Sequence, residues 1–503
     1  MSWRQTITLL SGPVCFYAMS FVDLAPGKPE VTAMAAVALW MAIWWITEAV
    51  PLAVTALLPV VLLPALSLMN GKSVAMQYFN HVIFLFIGGF LIALAMERWD
   101  LHRRVALRLL LLFGVRPRRM LAAFMFTTAL LSMWISNTAT AMMMVPIVIA
   151  LMTDIEQRID APSARRMAIG LLLGVAYAAS IGGMATLVGT PPNLSFTRIL
   201  SITFQHAPEI VFADWLRFAL PVSIVTLFVA WSLLGFLFMR GQSHTAADPA
   251  TLRRQYDALG KMTFEQWVIL IDAAILMLLW MSRNDLKIGD FTVPGWSGLF
   301  ARPSFLNDGA VAIAAALPLF MIPSPRNPQK RILDWPTAQR LPWGIILLFG
   351  GGFALAKGFT ETGLSGYLGE QLAGVQTLHP MLIIAIIAVT ISMLTELTSN
   401  TATTEMILPV LAGLAVAIGL NPLLLMVPAT LSCSCAFMMP VATPPNAIIF
   451  GTGRIRVWEM ARAGIALNLI GAGIITLATW YWAPRVWQID VTQLPAWAIL
   501  PAP

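Results

Sequence analysis

The chain has 503 residues, 58% of them hydrophobic and only 11% charged, with a mean hydropathy of +0.79. Soluble domains carry about 25% charged residues, so the composition excludes a soluble globular protein and points to a polytopic membrane protein. The net charge of +7 is explained below by orientation, which removes the reason to expect a nucleic-acid partner.

In chain order, spans are expected near 7–24, 31–49, 52–69, 82–97, 167–197, 215–239, 264–282, 308–322, 343–358, 422–452 and 460–484, about 11 in all. The first has only Arg4 ahead of it and no small-residue cleavage site, and is read as a retained span rather than a signal peptide. Apolar stretches at 120–152 and 380–419 stand apart because polar residues interrupt them. If both enter and leave on one side and the N-terminus is cytoplasmic, 22 of the 31 Lys and Arg lie inside. The positive-inside rule favours that topology. It puts the C-terminus outside and suits the inner membrane of a bacterial-type cell.

The first interrupted stretch contains "SNTAT" from Ser136, and the second contains it from Ser399, 263 residues later. "LFIGGFLIALA" (Leu85 to Ala95) and "LFGGGFALAKG" (Leu348 to Gly358) share that offset. "GTPPN" (Gly189 to Asn193) and "ATPPN" (Ala442 to Asn446) follow at an offset of 253. Copies that start from opposite sides of a membrane are the mark of inverted repeats with a midplane site. The proline pairs delete backbone donors and are expected to unwind a span at "TPPN" itself. For the Ser-Asn-Thr stretches, a re-entrant hairpin with the motif at its tip explains the polar residues better than one long tilted helix. No Arg, Lys or His occurs in the four motifs. Their hydroxyl and carbonyl oxygens suit a hard cation such as Na⁺. Freed N–H groups and helix N-termini suit a carboxylate.

At these residues the chain resembles the divalent anion:sodium symporter family, the sodium-dependent di- and tricarboxylate transporters. "WWITEAVPLAVTALLPVVLLP", "GGGFALAKGFTETGLS" and "FMMPVATPPNAIIFGTGRIRVWEMARAGIALNLIG" extend the resemblance over about 40–485. It implies an elevator-type transporter, a homodimer with a scaffold and a mobile transport domain. The expected division is 1–81 scaffold, 82–240 first inverted repeat with a hairpin at about 117–152, 241–342 connecting scaffold spans, 343–485 second repeat with a hairpin at about 380–419, and a tail at 486–503. The resemblance places substrate carboxylates on Ser136, Asn137, Thr138, Thr190 and Pro191, and on Ser399, Asn400, Thr401, Thr443 and Pro444. One sodium site would use Ser132, Ser136, Asn137 and the Gly189 carbonyl; the other Thr395, Asn400 and the Thr398 and Ala442 carbonyls. Sodium is the implied co-transported ion, with no organic cofactor. The implied substrate is a C4 dicarboxylate such as succinate, malate or fumarate. Sodium-independent exchange, or transport of citrate or sulfate on the same fold, is the alternative.

Several features have plainer readings. A lone membrane Ser or Thr usually bonds the carbonyl one turn back, but Ser132 and Thr395 again stand 263 residues apart. Glu48, Glu396 and Glu405 are intramembrane carboxylates by position, with Glu48 placed at a turn between spans. Lys357 is expected to snorkel. The glycines at 88–89 and 350–352 read as close helix packing. An enzyme would need a nucleophile–base pair or metal ligands. His81, His102, His206, His244 and His379 fall at span ends or in loops, and Cys433 and Cys435 have no partners at zinc spacing.

Overall fold

The computed structural model describes residues 3–113, 116–240, 249–288, 291–325 and 327–499; His244 lies outside them. The chain begins with α1 (Trp3–Met19), α2 (Pro29–Thr47), α3 (Leu52–Thr55), α4 (Leu58–Ala65) and α5 (Gly71–Tyr78). Next come α6 (His81–Arg98), α7 (Leu101–Phe113), α8 (Pro117–Ser132), α9 (Asn137–Ile155), α10 (Ala161–Met184), α11 (Pro191–Thr203) and α12 (Phe212–Phe238). The middle holds α13 (Pro249–Asp257), α14 (Phe264–Met281), α15 (Asp308–Met321) and α16 (Trp335–Ala338), with two small antiparallel strand pairs. The last part holds α17 (Trp343–Thr362), α18 (Leu364–Leu372), α19 (Pro380–Leu394), α20 (Asn400–Ala417), α21 (Leu423–Cys433), α22 (Pro444–Phe450), α23 (Val457–Tyr481) and α24 (Ala483–Trp487). Among the described residues nine helical stretches are long and apolar enough to cross a membrane.

The expected boundaries shift in physically readable ways. The span expected at 7–24 ends at Met19. The one at 52–69 is two short helices parted between Thr55 and Leu58. The turn between α2 and α3 is made by Glu48, exposed and left-handed at φ 47°, so this carboxylate belongs to a turn. The spans at 167–197 and 422–452 are broken, but not at the prolines. The unwound segments are 185–190 and 434–443, and Pro191 and Pro444 open the next helices. Proline suits the first helical position because the N–H it lacks would be unpaired there. Thr190 and Thr443 are extended, as a residue before proline must be.

Glycine sets the spacing between helices. A Cβ on Gly88 would lie 2.5 Å from Ala312, one on Gly174 2.7 Å from Leu121, and one on Gly182 2.3 Å from the Ala129 carbonyl. Helix α10 thereby runs alongside α8 and is buried throughout its most apolar 18 residues.

The two polar-tipped stretches are hairpins. Residues 121 and 129 of α8 meet 174 and 182 of α10, so α8 starts, α9 ends and α10 starts at one end of the molecule. That end also carries Arg165–Glu459 (2.8 Å), at the start of α23. The second hairpin has its base at the other end of α23, where His379 packs on Trp480. The two hairpins thus enter from opposite ends. Ion pairs Arg98–Asp334 (2.7 Å) and Arg340–Glu97 (2.8 Å) gather near the first base. Arg283 pairs with Asp308 and Glu209 (2.8 Å each) at the opposite end.

Candidate functional site

At the first tip, α8 stops at Ser132 and α9 starts at Asn137. Ser136 caps α9, its side chain accepting from the Ala139 N–H at 3.2 Å. The Ser132 hydroxyl donates to Asn137 Oδ1 at 2.6 Å. At the second tip the Thr395 hydroxyl donates to Asn400 Oδ1, also at 2.6 Å, and to the Cys433 carbonyl at 3.0 Å. Both hydrogen-bonded pairs therefore recur at the 263-residue offset.

Each tip faces an unwound segment whose backbone is satisfied by side chains, as buried backbone must be. Asn193 donates to the carbonyls of Gly183 (3.2 Å), Met184 (3.3 Å) and Thr186 (2.7 Å). Asn446 donates to those of Ala436 and Met439, both at 3.0 Å. Thr186 and Met439, like Gly183 and Ala436, differ by 253, the offset of the "TPPN" motifs. The asparagines of "TPPN" are therefore staples for the loops, and their NH₂ groups are not free for a substrate.

The segments differ in their second support. In the first, the Thr186 hydroxyl donates to the Met133 carbonyl (2.6 Å) and accepts from the Gly189 N–H (3.0 Å). In the second, the Glu396 carboxylate accepts from the N–H groups of Phe437, Met438 and Met439 (2.7–2.9 Å) and from Asn468 (2.7 Å). Glu396 is thus a loop anchor, a role that spacing alone did not assign.

Three of the residues expected to hold a cation come together at the first tip. An ideal Cβ on Gly183 would fall 2.6 Å from Asn137 Oδ1 and 3.1 Å from the Gly189 carbonyl oxygen. That is a cradle a methyl group would fill, lined by oxygens, with Ser132 Oγ bonded to the same amide. The donor set is all oxygen, as a hard cation requires. At the second tip Thr395 and Asn400 are joined by the Cys433 carbonyl, which the sequence reading did not name. The Thr398 hydroxyl bonds the Leu394 carbonyl (3.0 Å) and Thr403 (2.5 Å), so only its backbone carbonyl, the oxygen expected there, is left for the cage.

Asn137, Ser136, Thr138, Asn400 and Ser399 are part-exposed, whereas Thr401, Thr190 and Thr443 are buried. Thr443 spends its hydroxyl capping α22, accepting from the Asn446 N–H at 3.3 Å. Pro191 is half-buried and Pro444 exposed. Helices α9 and α20 begin at the tips with their N–H ends toward them, and α11 and α22 begin opposite, where the proline pairs remove the first two backbone donors. The elements interlace: α9 packs on α22, and α11 on α20.

A cavity of about 600 Å³ reaches the first tip at Ile135 and Ala139. Its other walls are Met142, Met143 and Pro146 on α9 and Glu97, Asp100, His102 and Arg103 between α6 and α7. A smaller cavity of about 130 Å³ lies toward the opposite end, between α6, α11 and α15.

The sequence profile described as the sodium:sulfate symporter transmembrane region matches residues 6–488. The chain belongs to this family. It is a membrane transporter, not an enzyme. A sodium-dependent dicarboxylate transporter of Staphylococcus saprophyticus is 42% identical over 499 residues, 97% of this chain and 93% of that protein. The same-named protein of Staphylococcus aureus is 42% identical over 497 residues, with the same coverage. Among solved structures, Neisseria gonorrhoeae MtrF, described as an antimetabolite efflux pump, has a TM-score of 0.55 at 12% identity, covering 93% of this chain and 97% of its own. The Alcanivorax borkumensis YdaH transporter has a TM-score of 0.51 at 13% identity, covering 82% of this chain and 86% of its own. At such identity these two share only the fold.

Proposed function

We propose that the chain is a sodium-coupled symporter of divalent carboxylates, with C4 dicarboxylates such as succinate, malate and fumarate as its substrates. The observation that carries this reading is the doubled oxygen cage, Ser132–Asn137 and Thr395–Asn400, beside helix N-termini in a site whose motifs hold no cationic side chain. Helix N-termini supply about half a charge each, and two unpaired negative charges at mid-depth would be very costly. Co-bound sodium ions, at least two, supply the missing positive charge. The sodium-dependent dicarboxylate transport named for the staphylococcal relatives supports the same assignment.

The hairpins entering from opposite ends, with bonds repeated at the 263-residue offset, favour two inverted repeats. The large cavity at the end rich in Arg favours a state open to the cytoplasm, with the N-terminus inside and the C-terminus outside. In this reading the hairpins and broken spans move as an elevator against a scaffold in a homodimer. Ser136, Asn137, Thr138, Ser399, Asn400 and Thr401, with the helix starts after Thr190 and Thr443, grip the carboxylates. The family's sodium:sulfate symporters make sulfate a second substrate to test.

The deciding experiment is a succinate titration of purified protein by calorimetry in sodium chloride and in choline chloride at equal ionic strength. Binding is expected only in sodium, and linkage requires succinate to tighten sodium binding by the same factor. Equal affinity in both salts would replace symport by sodium-independent exchange. Uptake of labelled succinate into proteoliposomes against sulfate and citrate then ranks the substrates.

A further inference from the structure

Glu405 lies on α20, five residues beyond Asn400, and is fully buried. Its Oε1 is 2.5 Å from the Ser195 hydroxyl on α11. Its Oε2 makes no hydrogen bond. That oxygen is pressed against α17: an ideal Cβ on Gly352 would lie 2.1 Å from it. The carboxyl group fits only because residue 352 has no side chain. The position is peculiar to the second half, since the residue 263 positions earlier is Met142.

Among the described residues no cation faces this carboxyl. On α17 the charged side chains are Lys357 and Glu361, which pair with each other at 3.4 Å. On α11 it is Arg198, bonded to Gln77 at 3.1 Å. Glu405 is the only charged residue of α20. On the helices packed against α20, α21 offers only the buried Cys433 thiol, α18 Tyr367 and Glu370, and α2 Glu30. An ionised carboxylate with one hydrogen bond and no counter-charge is strongly disfavoured in such surroundings. A neutral carboxyl needs only the Ser195 partner.

We propose that Glu405 is a proton-binding site that latches the second hairpin onto the glycine face of α17. In the state described, the carboxyl carries a proton shared with Ser195. When α20 leaves α17, water reaches Oε2, the proton passes to that water and the carboxylate forms. The charged group then opposes reseating until a proton returns. Acid therefore holds the cavity at the first tip open, and alkali releases it. The proposal rests on the alternating-access reading above, and adds a proton as a second conformational ligand beside sodium.

Two measurements test it on the full-length protein, in sodium and without substrate, so that titration of the dicarboxylate plays no part. Infrared difference spectra on raising pH are expected to show loss of a protonated carboxyl band that is missing in Glu405→Gln. Spin labels at Met142→Cys and Arg103→Cys, across the cavity mouth and with the native cysteines replaced, report its width. The wide population is expected to fall as pH rises in the parent protein, and to stay at its acid value in E405Q. A parent protein with no such band, or an E405Q protein with the parent's pH response, overturns the latch. If E405Q does not fold, Ser195→Ala is expected to shift the band without abolishing it, and an unshifted band overturns the proposal. In a separate series at one pH, distances that ignore the addition of sodium and then of succinate would instead remove the alternating-access reading on which the latch depends.

Discussion

The hairpin of α8 and α9 and that of α19 and α20 present the same Ser-Asn-Thr turn, yet they rest against different surroundings. The first borders a cavity of about 600 Å³ along α9. The second is packed along α17 and α18, where a Cβ on Gly413 would lie 1.9 Å from the Ser365 carbonyl. The loops behind them differ too: a threonine hydroxyl organises the first, a carboxylate the second. Identical turns can thus hold equivalent ligands while their supports tie each to a different part of the molecule. The second hairpin is the better anchored, so changes there are expected to cost more.

The largest effect is expected for Glu396→Ala, which strips one acceptor group from three backbone amides and Asn468. Leaving a buried neutral donor without its acceptor costs about 1–3 kcal/mol, and four donors lose theirs here. Thermal unfolding in detergent checks it, and Thr186→Ala is expected to cost about 1 kcal/mol. Equal losses in the two variants would break the contrast between the loops. Next come Asn137→Asp and Asn400→Asp, which place a negative charge beside a dianion and remove the amide donors. Uptake is expected to fall at least about a hundredfold, or about 2.8 kcal/mol, with size-exclusion behaviour intact. Near-normal uptake in both would make the tips structural.

A smaller effect sharpens the comparison. Ser132 gives its proton to one acceptor, and Thr395 shares its single proton between two. Each alanine replacement removes one cage oxygen and one donated proton, so Ser132→Ala and Thr395→Ala are each expected to weaken apparent sodium affinity several-fold, about 1 kcal/mol. Neither is expected to reorder substrate preference, and sodium titrations of uptake decide. Smallest is a pH effect at the first end. Partial burial raises the Asp334 carboxyl, but hydrogen bonds from Thr337 and the Arg98 guanidinium outweigh this and hold it below the ordinary range. A lowered carboxyl stabilises the fold above its unfolded value, and the gain is lost as pH falls through the folded value. The pair is part-exposed, so Asp334→Asn is expected to reduce acid sensitivity only slightly in unfolding curves below pH 5.

Much of this arrangement was legible in the sequence because polar residues have few uses inside a membrane. The Ser-Asn-Thr tips, the broken spans and the 263-residue offset all came from groups that lipid cannot satisfy. Glycines 88 and 350–352 were legible as packing, though Gly352 makes room for a carboxyl rather than a helix. What the sequence hid depends on partners distant along the chain. Nothing near Glu396 announces the amides of 437–439, and nothing near Ser195 announces Glu405. The unwound loops were expected at the prolines, where a donor is missing. They lie before them, because each proline pair opens the next helix and Asn193 and Asn446 bond carbonyls of the preceding loop. Gly183, the floor of the first cradle, has no signal beyond its place in "GG".

The interlacing of α9 with α22 and α11 with α20 has a consequence for how the protein is made. A ribosome delivers the chain from its N-terminus, so the first polar tip is synthesised some 300 residues before α22, the helix that covers it. Until then Asn137 and its neighbours sit near the membrane without their final surroundings. The contact of α9 with α22 can therefore form only after nearly all of the chain has emerged, so the two halves complete each other late in synthesis.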